Sequence, residues 1–177
     1  MNYALFLQGV NVGGNRRLPM QDLKKCLESL GFSGVRTYIQ SGNAVFAAES
    51  AAEDAIERAL SGLAGFAVPC VLRTKAELAA VIDNMPFPGC DESHLCVTFL
   101  QSAPPAPAAA EFSALDFSPD RFLLAGREIY LLCAAGFSDT KLTNALAARR
   151  LKTVATNRNW RTIHKVYEMM QEGYDGK

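Results

Sequence analysis

The sequence predicts an α+β protein built from two βαββαβ units in tandem, each in the ferredoxin-like (α/β-plait) order, joined by a connector helix and closed by a C-terminal helix. Three observations carry this. Short apolar runs of β type alternate with segments of 3.6-residue apolar period. In each half a glycine turn separates two adjacent strand-like runs, as in a hairpin. Between the halves, Pro86, Pro88 and Gly89 break the pattern. The expected division is residues 1–73 for the first unit, 74–92 for the connector, and 93–177 for the second unit with its terminal helix.

Tyr3–Val10 is the first strand-like run. Helical spacing follows from Met20, with Leu23, Cys26, Leu27 and Leu30 on one face and Gly31 as the stop. Val35–Gln40 and Ala44–Ala47 flank Ser41-Gly42-Asn43, which is hairpin chemistry. Ser50 and Glu53 have capping-box spacing before a helix whose stripe is Ile56, Ala59, Leu60 and Leu63. Ala67–Arg73 completes the unit as a strand. Thr74 and Glu77 form a second capping box ahead of the connector helix, which carries Leu78, Val81, Ile82 and Met85.

The second half repeats the order without repeating the sequence. Leu95–Gln101 reads as a strand, and Pro104, Pro105 and Pro107 lead into a helix near Ala108–Leu115. Phe122–Leu124 and Glu128–Cys133 flank the turn Ala125-Gly126-Arg127. A helix is expected over Asp139–Arg150, a short strand at Thr153–Ala155, and a terminal helix from Arg158 with Trp160, Ile163, Val166, Tyr167 and Met170 on one side.

With 177 residues the chain can bury a sizeable core. Eighteen basic and eighteen acidic residues cancel, so no global field draws it to nucleic acid or membrane. Charge is uneven locally: Lys141, Arg149, Arg150, Lys152, Arg158, Arg161 and Lys165 occur with no acid between them. No apolar run approaches the ~20 residues of a membrane span. Most of the five scattered cysteines sit in apolar runs, where they act as small hydrophobes, and a cytoplasmic location is expected.

The best ligand-site candidate is the loop Val10–Arg17. It carries Gly13 and Gly14 between Asn11 and Asn15, then Arg16 and Arg17 ahead of a helix start. Glycine lets backbone amides approach an anion, and a helix N-terminus adds partial positive charge. The topology brings this loop to the same end as Ser41-Gly42-Asn43. In the second unit, the segments around Lys141 and Thr143 and around Arg158 and Asn159 share one end. The candidate ligand-binding set is therefore Asn11, Gly13, Gly14, Asn15, Arg16, Ser41, Asn43, Lys141, Thr143, Arg158 and Asn159. The loop lacks the Lys-Ser/Thr of a P-loop, and no nucleophile–base motif surrounds His94 or His164. Cys90, His94 and Cys96 lie close in sequence but lack the fourth ligand of a structural zinc. Neither metal nor cofactor is expected. The third strand of neither half has the basic-Gly-aromatic pattern of an RNA-recognition motif.

Leu7–Gly14 with Leu18-Pro19-Met20, and Tyr38–Phe46, resemble the signature of the domain-of-unknown-function family 1697, DUF1697. Thr140–Thr143 and Thr156–Trp160 are similar to its two C-terminal motifs. Gln8 stands where the family commonly has arginine, and Thr140 where serine is usual. The resemblance implies a bacterial-type soluble protein of two α/β-plait domains, with no established activity, substrate or cofactor.

Three functional readings follow. The first is binding of an anionic ligand: a nucleotide, a phosphorylated metabolite or a nucleic-acid backbone. The second is an enzyme acting on a phosphorylated substrate. The third is a protein-interaction module whose loops are only turns. Composition leaves the oligomeric state open.

Overall fold

The computed structural model describes residues 1–172; residues 173–177, part of the expected second domain, lie outside the described residues. Residues 1–172 form two four-stranded antiparallel sheets and six α-helices. The chain forms two compact units, Met1–Ala80 with the segment from His164 onward, and Val81–Ile163. No helix among the described residues is long and apolar enough to cross a membrane.

The first unit runs β1 (Asn2–Leu7), α1 (Met20–Ser29), β2 (Ser33–Tyr38), β3 (Asn43–Ala47), α2 (Glu53–Ala64) and β4 (Cys70–Thr74), and α3 (Lys75–Asp83) begins in it and ends in the second. The first unit's sheet order is β2-β3-β1-β4. Strand alternation sends Tyr3, Leu5 and Leu7 of β1, Ala44 and Phe46 of β3, and Cys70 and Leu72 of β4 into one core. Leu23 and Leu27 of α1 and Ile56 and Leu60 of α2 fill that core. Ala4, Phe6 and Val71 on the opposite face are also buried. Burial on both faces explains why β1 reads as a continuous apolar run instead of an alternating one.

The helix α2 departs from its predicted start. Ala52 stands at the N-cap with no side-chain cap, so the Ser50–Glu53 box does not form. Leu63 points outward, 55% exposed. The reason lies across the sheet edge. Glu53 Oε1 accepts from the backbone N–H of Leu72 at 3.2 Å, Glu57 Oε1 from that of Cys70 at 2.9 Å, and Ser61 Oγ from that of Val68 at 3.1 Å. Four helical residues rise about 6 Å and two strand residues about 6.6 Å, so side chains at i, i+4 and i+8 meet alternate edge amides. Glu77 Oε2 adds Thr74 N–H at 2.7 Å while Thr74 Oγ1 accepts from Glu77 N–H at 3.2 Å, so the second capping box forms. The outer N–H row of β4 is thereby closed to another strand.

The second unit continues with β5 (Leu95–Leu100), α4 (Ala106–Ser113), β6 (Arg121–Ala125), β7 (Glu128–Leu132), α5 (Asn144–Leu151) and β8 (Ala155–Asn159). Its sheet order is β6-β7-β5-β8. Cys96, Leu100, Ile129, Leu131, Cys133 and Ala155 face a core completed by Phe112, Ala147 and Leu151. Phe122 meets Phe117 and Phe112 edge-on, with ring centroids 5.1 and 5.6 Å apart. Two expected boundaries move. The last strand is Ala155–Asn159, not Thr153–Ala155, because its residues pair in register with Cys96–Leu100. The helix expected from Asp139 begins at Asn144, since Thr143 is the residue that caps it. The last helix, α6 (Trp160–Gln171), starts directly after β8.

Glu57→Ala leaves the Cys70 amide without its acceptor and is expected to cost roughly 1–3 kcal/mol in urea unfolding. Glu57→Gln, which keeps an accepting oxygen, is expected to recover most of that loss.

Candidate functional site

The loop between β1 and α1 is built from inside. Val12-Gly13-Gly14-Asn15 is a two-residue turn closed by Asn15 N–H donating to Val12 O at 3.0 Å, with φ of 58° and 76° at the two glycines. Positive φ at both central positions is the demand of a type I′ turn, which glycine meets without steric cost. Space around each is open, so conformation rather than crowding selects glycine here.

Asn11 holds the base of this turn. Its Nδ2 donates to Leu18 O and Gln40 O, both at 2.8 Å, its Oδ1 accepts from Leu18 N–H at 2.9 Å, and its own amide donates to Arg16 O at 2.9 Å. The bond to Gln40 ties the loop to the β2–β3 turn, bringing together the two segments that the element order placed at one end. Arg16 Nε donates to Gly9 O at 2.7 Å, a second guanidinium nitrogen donates to Ala67 O, and the group lies 4.7 Å over the Phe66 ring. Asn11 and Arg16 are thus positioning residues whose polar atoms face their own chain. Asn43 is buried and donates to Tyr38 O and Ser41 Oγ. A Cβ on Gly42 would sit 2.8 Å from Leu7 Cβ and 2.9 Å from Val10 Cγ2, so close approach as well as φ requires glycine.

The tip is left over. Among the described residues, the amides of Gly13 and Gly14, the Asn15 carboxamide and the exposed Arg17 guanidinium have no hydrogen-bond partner. Arg17 was missing from the candidate set, although its place beside a helix start was the available signal. Two apolar side chains share this end: Val12 is 63% exposed and Ile39 is 50% exposed. Ile39 also has φ of 48°, a region unfavourable for a β-branched residue.

The second-unit candidates divide differently. Thr143 Oγ1 accepts from Leu146 N–H at 3.2 Å as the cap of α5, and Asn159 Oδ1 accepts from Thr162 N–H at 2.8 Å at the start of α6. Arg158 is 7% exposed within β8, donates to Thr156 Oγ1 and to Asn157 O, and burial lowers its pKa to about 10. Lys141 alone of the four is exposed with no side-chain partner among the described residues. It precedes the cap of α5, so it does not oppose that helix's dipole as a first-turn lysine would. Cys96 faces the core, where Asn157 Nδ2 lies 3.1 Å from its sulfur and burial pushes the thiol up to about 12. Among the described residues no three His, Cys, Asp or Glu side chains converge as a metal would need.

A family model described as protein of unknown function, DUF1697, matches residues 1–130. No curated protein matches the chain. Among solved structures, a conserved bacterial protein from Streptococcus pneumoniae superimposes with a TM-score of 0.75 at 23% identity, over 96% of this chain and 98% of that one. That likeness is one of fold.

Two substitutions separate positioning from strain. Asn11→Ala removes the bonds to Leu18 and Gln40 and is expected to lower stability by about 2–3 kcal/mol in chemical denaturation. Ile39→Asn relieves the left-handed backbone cost and is expected to raise stability by roughly 1 kcal/mol in the same assay.

Proposed function

The chain belongs to the DUF1697 family of proteins of unknown function, and from the loop geometry we propose that it binds a phosphate-bearing anion at the tip of the β1–α1 loop. The carrying observation is the division of labour in that loop. Asn11 and Arg16 fix its shape from within, while the Gly13 and Gly14 amides, Asn15 and Arg17 stay free at the surface. The Gly13 and Gly14 amides, fixed by the closed turn before binding, lose little freedom on contact, which favours affinity. An arginine fork and paired amides suit phosphate oxygens. Asn11, Arg16 and Asn43 enter this reading as supports, and Gly13, Gly14, Asn15, Arg17 and Ser41 as contacts. The tip is exposed, which favours a phosphate presented by a nucleotide or nucleic-acid backbone over an enclosed metabolite.

The same proposal takes each unit as an α/β plait, supported by the sheet orders β2-β3-β1-β4 and β6-β7-β5-β8, with the chain divided in sequence order at 1–73, 74–92 and 93–177, the last of these including the terminal helix whose residues from His164 group by contact with the first unit. A second reading, docking of a protein partner at this end, is favoured by the exposure of Val12 and Ile39.

Titration of isotope-labelled protein with inorganic phosphate, adenosine monophosphate and a short single-stranded oligonucleotide tests the proposal. The Gly13 and Gly14 amide signals are expected to shift saturably, and Arg17→Gln to weaken binding about tenfold, ~1.4 kcal/mol. Unmoved signals with all three probes reject it.

A further inference from the structure

A second cluster lies wholly in the Val81–Ile163 unit. A surface cleft of about 480 Å³ is lined by Phe87, Cys90, Asp91, His94, Arg121 and Leu132, among others. That volume falls within the range of small-molecule sites, roughly 300–1,000 Å³. Cys90 and His94 come from the short turn preceding β5, and Arg121 opens β6. Chain segments distant in sequence therefore converge here.

Unpaired donors give the cleft its character. Arg121 stacks over the buried Phe87 ring, its guanidinium carbon 4.9 Å from the centroid. Stacking holds the plane of the fork while leaving its N–H edges to donate sideways. No acceptor among the described residues meets those edges, and the His94 ring and Cys90 thiol have no hydrogen-bond partner among them either, although His94 lies close enough to Asp91 to feel its charge. The acids nearby are occupied otherwise. Asp91 Oδ1 accepts from Ser93 N–H and Oγ at 3.0 and 2.6 Å, and Asp120 Oδ1 accepts from Ala134 N–H at 2.8 Å. The bonds from Ser93 hold the Asp91 carboxyl below its ordinary range, so it stays anionic.

That arrangement selects among anions. One guanidinium fork matches the two coplanar oxygens of a carboxylate. A dianion would meet the negative charge of Asp91 on the same rim. The Phe87 and Leu132 walls suit an apolar body. We infer that the cleft binds a small organic monocarboxylate, its oxygens on the Arg121 fork and the His94 ring, its apolar part against Phe87 and Leu132. The site is independent of the loop tip in the other unit.

Isotope-labelled full-length protein titrated with benzoate, benzamide and inorganic phosphate tests this. Benzoate is expected to shift the Gly89, Cys90, Asp91 and Ala134 amides saturably, with benzamide and phosphate each at least about tenfold weaker. Arg121→Gln is expected to remove the benzoate response, Arg121→Lys to restore only part of it, and His94→Gln to weaken it. Equal responses to benzoate and benzamide, a phosphate response as strong as benzoate, no response to benzoate, or unchanged benzoate binding in both Arg121→Gln and His94→Gln each overturn the inference.

Discussion

Backbone donors and acceptors that neither sheet nor helix can satisfy dictate where the polar side chains of this protein go. An unmet amide in a water-poor setting costs free energy comparable to a lost hydrogen bond. At the edge of β4 the answer is a row of acceptors from α2, with Glu53, Glu57 and Ser61 each meeting an alternate amide. At the β1–α1 corner it is Asn11, whose carboxamide substitutes for a missing strand partner at Leu18 and Gln40. Both solutions use side chains as pieces of backbone, and both explain residues that otherwise look like site residues or caps.

This constraint separates support from contact in the candidate site. An asparagine and an arginine beside two glycines look like ligand groups when read along the chain. In three dimensions Asn11 donates to Leu18 and Gln40, and Arg16, though exposed, donates to Gly9 and Ala67. What remains for a ligand is the tip they hold. The left-handed Ile39 lies beside the same joint and exposes half its surface, so this end carries conformational cost that packing does not repay.

The two units answer similar topology with different chemistry. The first places a closed, hydrogen-bonded loop where its first strand meets its first helix. The second places its unmet groups on a cleft between the turn before β5 and the start of β6. Its predicted loop residues Thr143 and Asn159 serve as caps, which satisfy amides at the starts of α5 and α6. Arg158 lies inside the sheet, where its bonds to Thr156 and Asn157 offset part of the cost of burial.

Element order, the hairpin glycines, the Thr74–Glu77 cap and the core stripe of Leu23, Leu27, Ile56 and Leu60 were legible in the sequence, because periodicity and turn chemistry act over a few neighbours. The juxtaposition of the first loop with the Ser41-Gly42-Asn43 turn was legible as well, since it follows from topology. The failure of the Ser50–Glu53 cap, the bonding of Arg16 to backbone carbonyls and the burial of Arg158 were not. Each depends on an acceptor, donor or sheet neighbour remote in sequence: Leu72 for Glu53, Ala67 for Arg16, and β5 beside Arg158. Local signals determined which elements form and where they turn. Tertiary structure alone decided which polar groups were consumed in holding them together, because hydrogen-bond satisfaction is settled by neighbours in space.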